Sequence, residues 1–465
     1  MSAGTAGDTD AYLAWGRAHR HRHRIARPAA SDAAAAVVRA AGGPPLLPHG
    51  RGRSYGDSCL NEGGVLLDTG RLDRFLAFDR GTGLLEAQAG VRMADVLAHV
   101  CRPAADGSAW FPPVVPGTRW LSLGGALAND VHGKNHHREG SLGCHVEGFT
   151  LLRGDGGTLP CSAERNPELY RATIGGLGLT GLMLDLKLRL RRVPGLTMVA
   201  EDVRMGSLDE FYALSAESEA GWEYTVAWVD CLATGRNLGR GVFSRANHAP
   251  GPVGEVAPLE PRLTVPFAPP VSPLNRFTLR AFNALYRRKL GRQRRVARLS
   301  AYEPVLFPLD AIAGWNRLYG RRGFYQYQCV LPPEAARDGV AEMLGTVARA
   351  GEGSFLAVLK TMGDRRSPGL LSFPMPGTTL ALDFPNRGAA TLALLDRLDA
   401  ITTAARGRVY PAKDGRISAA AFAGGHAEAD LARFRESVDP AFSSSFWRRV
   451  GGDIAAAPSQ ELVAA

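Results

Sequence analysis

Glycine is concentrated in three short blocks of this chain, and that pattern constrains the backbone more than any other feature. The 465 residues hold 55 glycines, about 12% where roughly 7% is usual, with no collagen-like period. The densest block is Pro48-His49-Gly50-Arg51-Gly52-Arg53-Ser54-Tyr55-Gly56-Asp57, directly after Leu46-Leu47. Backbone amides without side-chain bulk, set among arginines, form an anion cradle whose natural guest is a pyrophosphate. The block lacks the Walker spacing and opens no clear helix within a βαβ unit, so it is neither a P-loop nor a Rossmann fingerprint.

A second block runs from Pro116-Gly117-Thr118 through Ser122, Gly124, Gly125 and Asn129 to His132-Gly133-Lys134-Asn135-His136-His137. The third, Ile174-Gly175-Gly176-Leu177-Gly178-Leu179-Thr180-Gly181, precedes an apolar run. Short apolar runs at 65–68, 84–87, 146–152 and 182–188 read as strands joined by tight turns. Helices are expected over 32–41, with Ser31 as N-cap and Gly42-Gly43 as stop, and over 93–101. The region is α+β.

The length is three times the roughly 150-residue prior for a domain, so two domains, or one with large insertions, are expected. Pro194-Gly195 closes the first, and the proline-rich stretch 249–273 reads as a loop. A helix is expected over 390–403, then a returning strand and turn over 408–416. The net charge of +10 suits a phosphate, a nucleic acid or an anionic lipid surface. The alternation His19-Arg20-His21-Arg22-His23-Arg24 reads as a solvated, anion-binding arm, because the interleaved arginines would repel a metal ion. Between Arg276 and Arg298 lie nine basic residues and no acid, interleaved with Phe277, Phe282, Leu285 and Tyr286; a solvated helix face and a surface lying on an anionic membrane both fit. Six cysteines without CxxC spacing argue against a zinc site or a disulfide framework and suit a reducing compartment. Without a leader-like or spanning apolar run, the expected location is the cytoplasm, at most peripheral to a membrane.

The three blocks, in this order and spacing, resemble the FAD-binding domain of the vanillyl-alcohol-oxidase type of flavoprotein. More narrowly, residues 52–57, 116–119, 132–137 and 178–181 resemble the decaprenylphosphoryl-β-D-ribose 2-oxidases, flavoprotein subunits of the epimerase that makes the arabinose donor of mycobacterial walls. The likeness continues through Trp315-Asn316-Arg317, residues 323–328, Leu371-Ser372-Phe373-Pro374, Asp383-Phe384-Pro385 and Tyr410-Pro411-Ala412-Lys413-Asp414, and covers nearly the whole chain.

The resemblance implies a two-subdomain FAD-binding domain (1–195), a substrate domain with an antiparallel sheet flanked by helices (196–405), and a C-terminal segment (406–465) returning to the first. It implies that FAD is held by residues 48–58, which include His49, Gly50, Arg51, Gly52, Arg53, Ser54, Tyr55, Gly56 and Asp57, together with Gly117, Ser122, Gly124, Gly125, Asn129, His132, Met183 and Tyr410. In the related aldonolactone and alditol oxidases a first-loop histidine bonds the flavin covalently; that place is Arg53 here, so FAD is expected to be non-covalent. Lys413 and Lys360 are the implied catalytic residues, and Tyr55, Lys134, Gln326, Gln328 and Lys360 the implied substrate contacts. Read by itself, a lysine in an apolar strand such as Lys360 is ordinarily a snorkelling edge residue. No metal is expected: His132, His136 and His137 fit flavin contacts better in this glycine-rich, lysine-containing setting. Trp228 and Tyr327 read as plain core aromatics.

The pocket departs from the family at Ala381, where a cysteine stands, at Thr378-Thr379, where the family has Trp-Asn, and at Leu306, where a tyrosine is expected. The implied reaction is oxidation of the C2 hydroxyl of a polyprenyl-phosphoryl ribose to a keto sugar, which a separate NAD(P)H-dependent short-chain reductase carries on to the arabino epimer. Rival readings are an aldonolactone or alditol oxidase, against which Arg53 stands; the same oxidation of a soluble nucleoside or sugar in specialised metabolism; and a nucleic-acid-binding protein, suggested by the charge alone.

Overall fold

The computed structural model describes residues 6–9, 11–250 and 261–451. Residues 251–260 of the proline-rich stretch and 452–465 of the C-terminal segment lie outside the described residues.

Three sheets carry the architecture. The first has the order Ala6–Thr9, His23–Ala26, Val65–Asp68, Leu46–His49, with both pairings to Val65–Asp68 parallel. The helix Ser31–Ala40 links two of these strands and buries Ala34 and Val38 against Leu46, Val65 and Leu67. Its N-cap is Ala30, which is extended and makes no side-chain capping bond, so Ser31 begins the first turn rather than capping it. The stretch 19–24 is solvated only in part: Arg20 and Arg22 are exposed, but His23 is not. His23 and Ile25 alternate onto one face of this sheet and are buried there, where Tyr12 packs edge-on to His23 and against Ile25.

The second sheet is antiparallel, in the order Phe75–Asp79, Leu84–Gln88, Leu182–Arg189, Val146–Leu152, Thr158–Ser162. Its core holds the helices Met93–Val100 and Leu123–Ala128 through Val96, Leu97, Ala126 and Leu127.

The third sheet has eight antiparallel strands: Arg295–Ala301, Thr197–Met205, Gly241–His248, Tyr224–Val229, Ala357–Met362, Gly377–Pro385, Phe324–Leu331 and Arg408–Val409. Period-two alternation divides each strand between two environments. Tyr327, Cys329, Leu359, Leu380, Leu382 and Phe384 pack under the helices Leu208–Ser218, Pro333–Ala350 and Ala389–Ala404. Their neighbours Gln326, Gln328, Lys360, Thr379 and Ala381 line a cavity on the other face.

After Arg408–Val409 the chain crosses from this sheet back to the first. Leu46 bridges Phe442, and the helix Ser445–Val450 packs on the turn Asp57–Cys59.

Candidate active site

The cavity, of about 1200 Å³, is larger than the roughly 300–1,000 Å³ of an ordinary ligand pocket. One part is walled by the glycine blocks: Gly50 to Tyr55, Gly117 to Ser122, Gly124, Gly125, Asn129 and Gly178 to Met183 contribute to its lining. Gly50 is required by close approach, since a Cβ there would lie 2.3 Å from Ser122 Oγ. That serine caps Leu123–Ala128 by accepting a hydrogen bond from Gly125 N. Arg51 Nε, Arg53 Nε, Ser58 Oγ and Asn129 Oδ1 are buried in the cavity lining with no hydrogen-bond partner among the described residues. Buried polar atoms seldom stay unpaired, so these four mark where a polar ligand completes the site.

Not every residue of the first block faces the cavity. His49 turns inward, with its Nδ1 3.0 Å from Cys59 O and its ring edge-on to Tyr12. Gly56 packs so closely on the C-terminal segment that a Cβ would lie 1.5 Å from Asp414 O. Asp57 accepts two bonds from Arg449, at 2.7 and 3.0 Å. These three hold the cradle from behind and are absent from its lining. The stretch 11–17 backs it as well: Trp15 N donates to Ser54 O at 2.7 Å, and the Arg53 guanidinium lies 4.3 Å from the Trp15 ring centroid.

The other part of the cavity gathers ionisable groups. The alternation of Ala357–Met362 points Lys360 inward, where its Nζ donates to Gly133 O at 2.5 Å and lies 2.7 Å from His132 Nδ1. On the other side of that ring, His132 Nε2 is 3.0 Å from Gln328 Nε2. Burial pushes the Lys360 ammonium down to about 7 and, with the Lys360 charge beside it, holds the His132 imidazole well below its usual range. Lys413 Nζ stands 3.8 Å from the centroid of the Tyr55 ring. Burial lowers its pKa, partly opposed by the Asp383 carboxylate, and burial raises that of Asp383 in turn. Asp383 accepts bonds from Gln326 Nε2 at 2.5 Å and Tyr319 OH at 3.2 Å. Tyr410 stacks on Phe373 at 4.4 Å and donates from its hydroxyl to Asn129 O at 2.9 Å.

Lys134 lines the same space, yet its Nζ already donates to the carbonyls of Val305 and, at 3.0 Å, Leu306. It joins the glycine-block wall to the substitution at Leu306. His136 and His137 stay outside the lining, and His137 Nε2 lies 2.9 Å from Trp222 O. Tyr327 is core, its hydroxyl 2.7 Å from Thr402 Oγ1. Trp228, by contrast, lines the cavity and donates from Nε1 to Phe355 O at 2.8 Å. It shares the inward register of Val226 on one strand, and that alternation was the available signal. Asp383 was also legible as the inward partner of Thr379 and Ala381, had the run been read as a strand.

Residues 23–162 match the family model described as an FAD binding domain. Over 434 residues, 89% of this chain and 91% of the relative, the sequence is 37% identical to decaprenylphosphoryl-β-D-ribose oxidase of Mycolicibacterium smegmatis. The chain belongs to the decaprenylphosphoryl-β-D-ribose oxidase family. It is an FAD-binding oxidoreductase of mixed α+β fold, as the glycine blocks implied. Shorter likenesses reach other oxidoreductases. Cytokinin dehydrogenase 7 of Oryza sativa is 27% identical over 46% of this chain and 41% of its own. A putative D-arabinono-1,4-lactone oxidase of Neurospora crassa is 28% identical over 30% of this chain and 23% of its own.

The residues present fit FAD: a cavity of about 1200 Å³ walled by the glycine blocks, and unpartnered Arg51, Arg53, Ser58 and Asn129 atoms along it. Among the described residues, no helix is long and apolar enough to cross a membrane.

Proposed function

We propose that this chain oxidises the C2 hydroxyl of a polyprenyl-phosphoryl ribofuranoside to the 2-keto sugar, as the first half of a ribose-to-arabinose epimerisation. The observation that carries the reading is the convergence of Lys413, Lys360, His132, Gln326 and Gln328 on one buried space that is continuous with the glycine-block cradle, with Asp383 behind Gln326. Bound FAD supplies the acceptor for the hydride that leaves C2. Lys413, lowered by burial, takes the hydroxyl proton as a neutral amine; the C–H and O–H bonds break and the C=O bond forms. Lys360 orients the sugar hydroxyls and is itself fixed by Gly133 O and the His132 ring. Asp383, held by Gln326 and Tyr319, keeps a counter-charge facing Lys413. Away from these groups the lining combines the small or apolar Ala200, Val226, Ala246 and Val358 with Asp202, Lys289 and Arg298, so that a prenyl chain and its phosphate both find partners there.

FAD is held without a covalent link, because Arg53 stands where the aldonolactone oxidases carry the linking histidine. A separate NAD(P)H-dependent reductase returns hydride to C2 from the other face. Anaerobic mixing with a panel of sugars tests the assignment. Bleaching of the flavin is expected with polyprenyl-phosphoryl ribose; bleaching with an aldonolactone or a free nucleoside, and none with the phosphoribose, would replace it.

A further inference from the structure

We propose that the face built by the segment 261–273 and the helix Arg276–Arg288 docks on an anionic lipid bilayer, so that the cavity opens against the membrane. The proposal rests on the reading of a lipid-linked substrate only for its purpose; the surface itself is independent of it.

Nine large hydrophobic side chains stand exposed among the described residues, and six of them fall here: Leu263, Phe267, Val271, Phe277, Phe282 and Leu285. Phe277 is 80% exposed, Val271 79% and Leu285 66%, far beyond what a covered helix face leaves open. The helix explains why. Leu279 and Asn283 point inward and are buried, whereas Phe277, Ala281, Ala284 and Leu285 share the outward stripe at i, i+4, i+7 and i+8. An apolar stripe turned to solvent needs a partner.

Charge identifies that partner. From Pro261 to Tyr302 the sequence has no acidic residue and ten basic ones. Lys289 and Arg298 share Asp202, while Arg294 and Arg295 pair with Glu210 and Glu217. Arg276, Arg280, Arg288 and Arg292 have no carboxylate partner among the described residues, and all four are exposed. A second copy of this chain would bring the same uncompensated cations together across a two-fold axis, which disfavours a dimer. Cations beside exposed aromatic and leucine side chains are the signature of a helix lying in an anionic interface.

Position links the surface to the site. Phe282, Tyr286 and Lys289 of the helix region line the cavity on one side, and Pro261 and Ile312, the latter paired with Leu263, line it on another. The cavity therefore borders the apolar and basic face. A substrate whose prenyl chain remains in the bilayer could present its sugar phosphate there without the whole lipid leaving the membrane.

Flotation of the FAD-loaded full chain with vesicles tests this. Binding is expected to phosphatidylcholine vesicles containing phosphatidylglycerol, to weaken with added salt, and to be absent with phosphatidylcholine alone. Arg280→Gln with Arg288→Gln should lower the partition constant about 25-fold, roughly fivefold for each charge. Phe277→Ser with Leu285→Ser should release the protein while leaving FAD content, thermal midpoint and turnover of a short-chain substrate in solution unchanged. Binding that ignores lipid charge, no binding at all, or a dimer that the Phe277→Ser change dissociates would overturn the proposal. Because vesicle binding is read without turnover, it stands or falls separately from the substrate assignment.

Discussion

Lys413 sits where a cation is costly: it is buried against the Tyr55 ring, with a single carboxylate, Asp383, facing it. Desolvation favours the neutral amine, and the neutral amine is the form able to accept a proton. A base of that kind gains activity as pH rises through its pKa, so flavin reduction should climb with pH below the ordinary lysine value of about 10.5. Removing the amine should leave FAD bound and cost about 10²-fold or more in the reduction rate, the usual contribution of a positioned base. Stopped-flow reduction of Lys413→Ala across pH checks both; an unchanged rate, or a surviving ascending limb, contradicts the role. At this scale the sequence reading was uneven. Lys360 looked like an edge lysine by pattern alone, because nothing local reveals that His132 and Gly133, more than 200 residues earlier, receive its Nζ.

Among the elements, the glycine block after Leu46–His49 does two jobs that residue types alone could not separate. Gly50 lines the cavity and packs on the Ser122 side chain, whereas Gly56 lies outside the lining and packs on the backbone of Asp414. Gly56→Ala places a methyl group inside that carbonyl's contact distance, so the first block and the Tyr410–Asp414 turn must part. FAD occupancy of the purified variant should fall with its thermal midpoint; full occupancy at wild-type stability would contradict the packing. The strands at 65–68, 146–152 and 182–189 were legible because apolar runs between glycine turns leave few alternatives. The strand His23–Ala26 was not, since its histidine and arginine read as polar until Tyr12 is known to pack on His23. The stretch 11–17 escaped for a similar reason: it has no regular period, and its backbone partners Ser54, Tyr55 and Phe324 lie far along the chain.

For the whole molecule, closure depends on the C-terminal return. Arg449 joins Asp57 of the first block to Asp414 beside Lys413, with Asp57 and Asp414 almost fully buried. Arg449→Ala strips two buried carboxylates of their shared cation, although Asp414 keeps the Arg416 and Ile417 amides, and breaking such a pair costs about 3 kcal/mol where one partner retains some solvent. Denaturant unfolding of the FAD-loaded protein should show that loss, together with weaker FAD retention; an unchanged midpoint would mean the return is not a clasp. The resemblance implied an antiparallel sheet flanked by helices, while its eight strands and their order were not legible, because they are joined across long intervals and pair out of sequence order. Hydride removal from C2 of a lipid-linked ribose at the Lys413–Lys360 end of one cavity carries an isotopic signature. Anaerobic single-turnover reduction with polyprenyl-phosphoryl ribose carrying deuterium at C2 or at C3 tests it most directly. Slower bleaching with C2 deuterium and an unchanged rate with C3 deuterium is the predicted result; no bleaching, or slowing only with C3 deuterium, would contradict it.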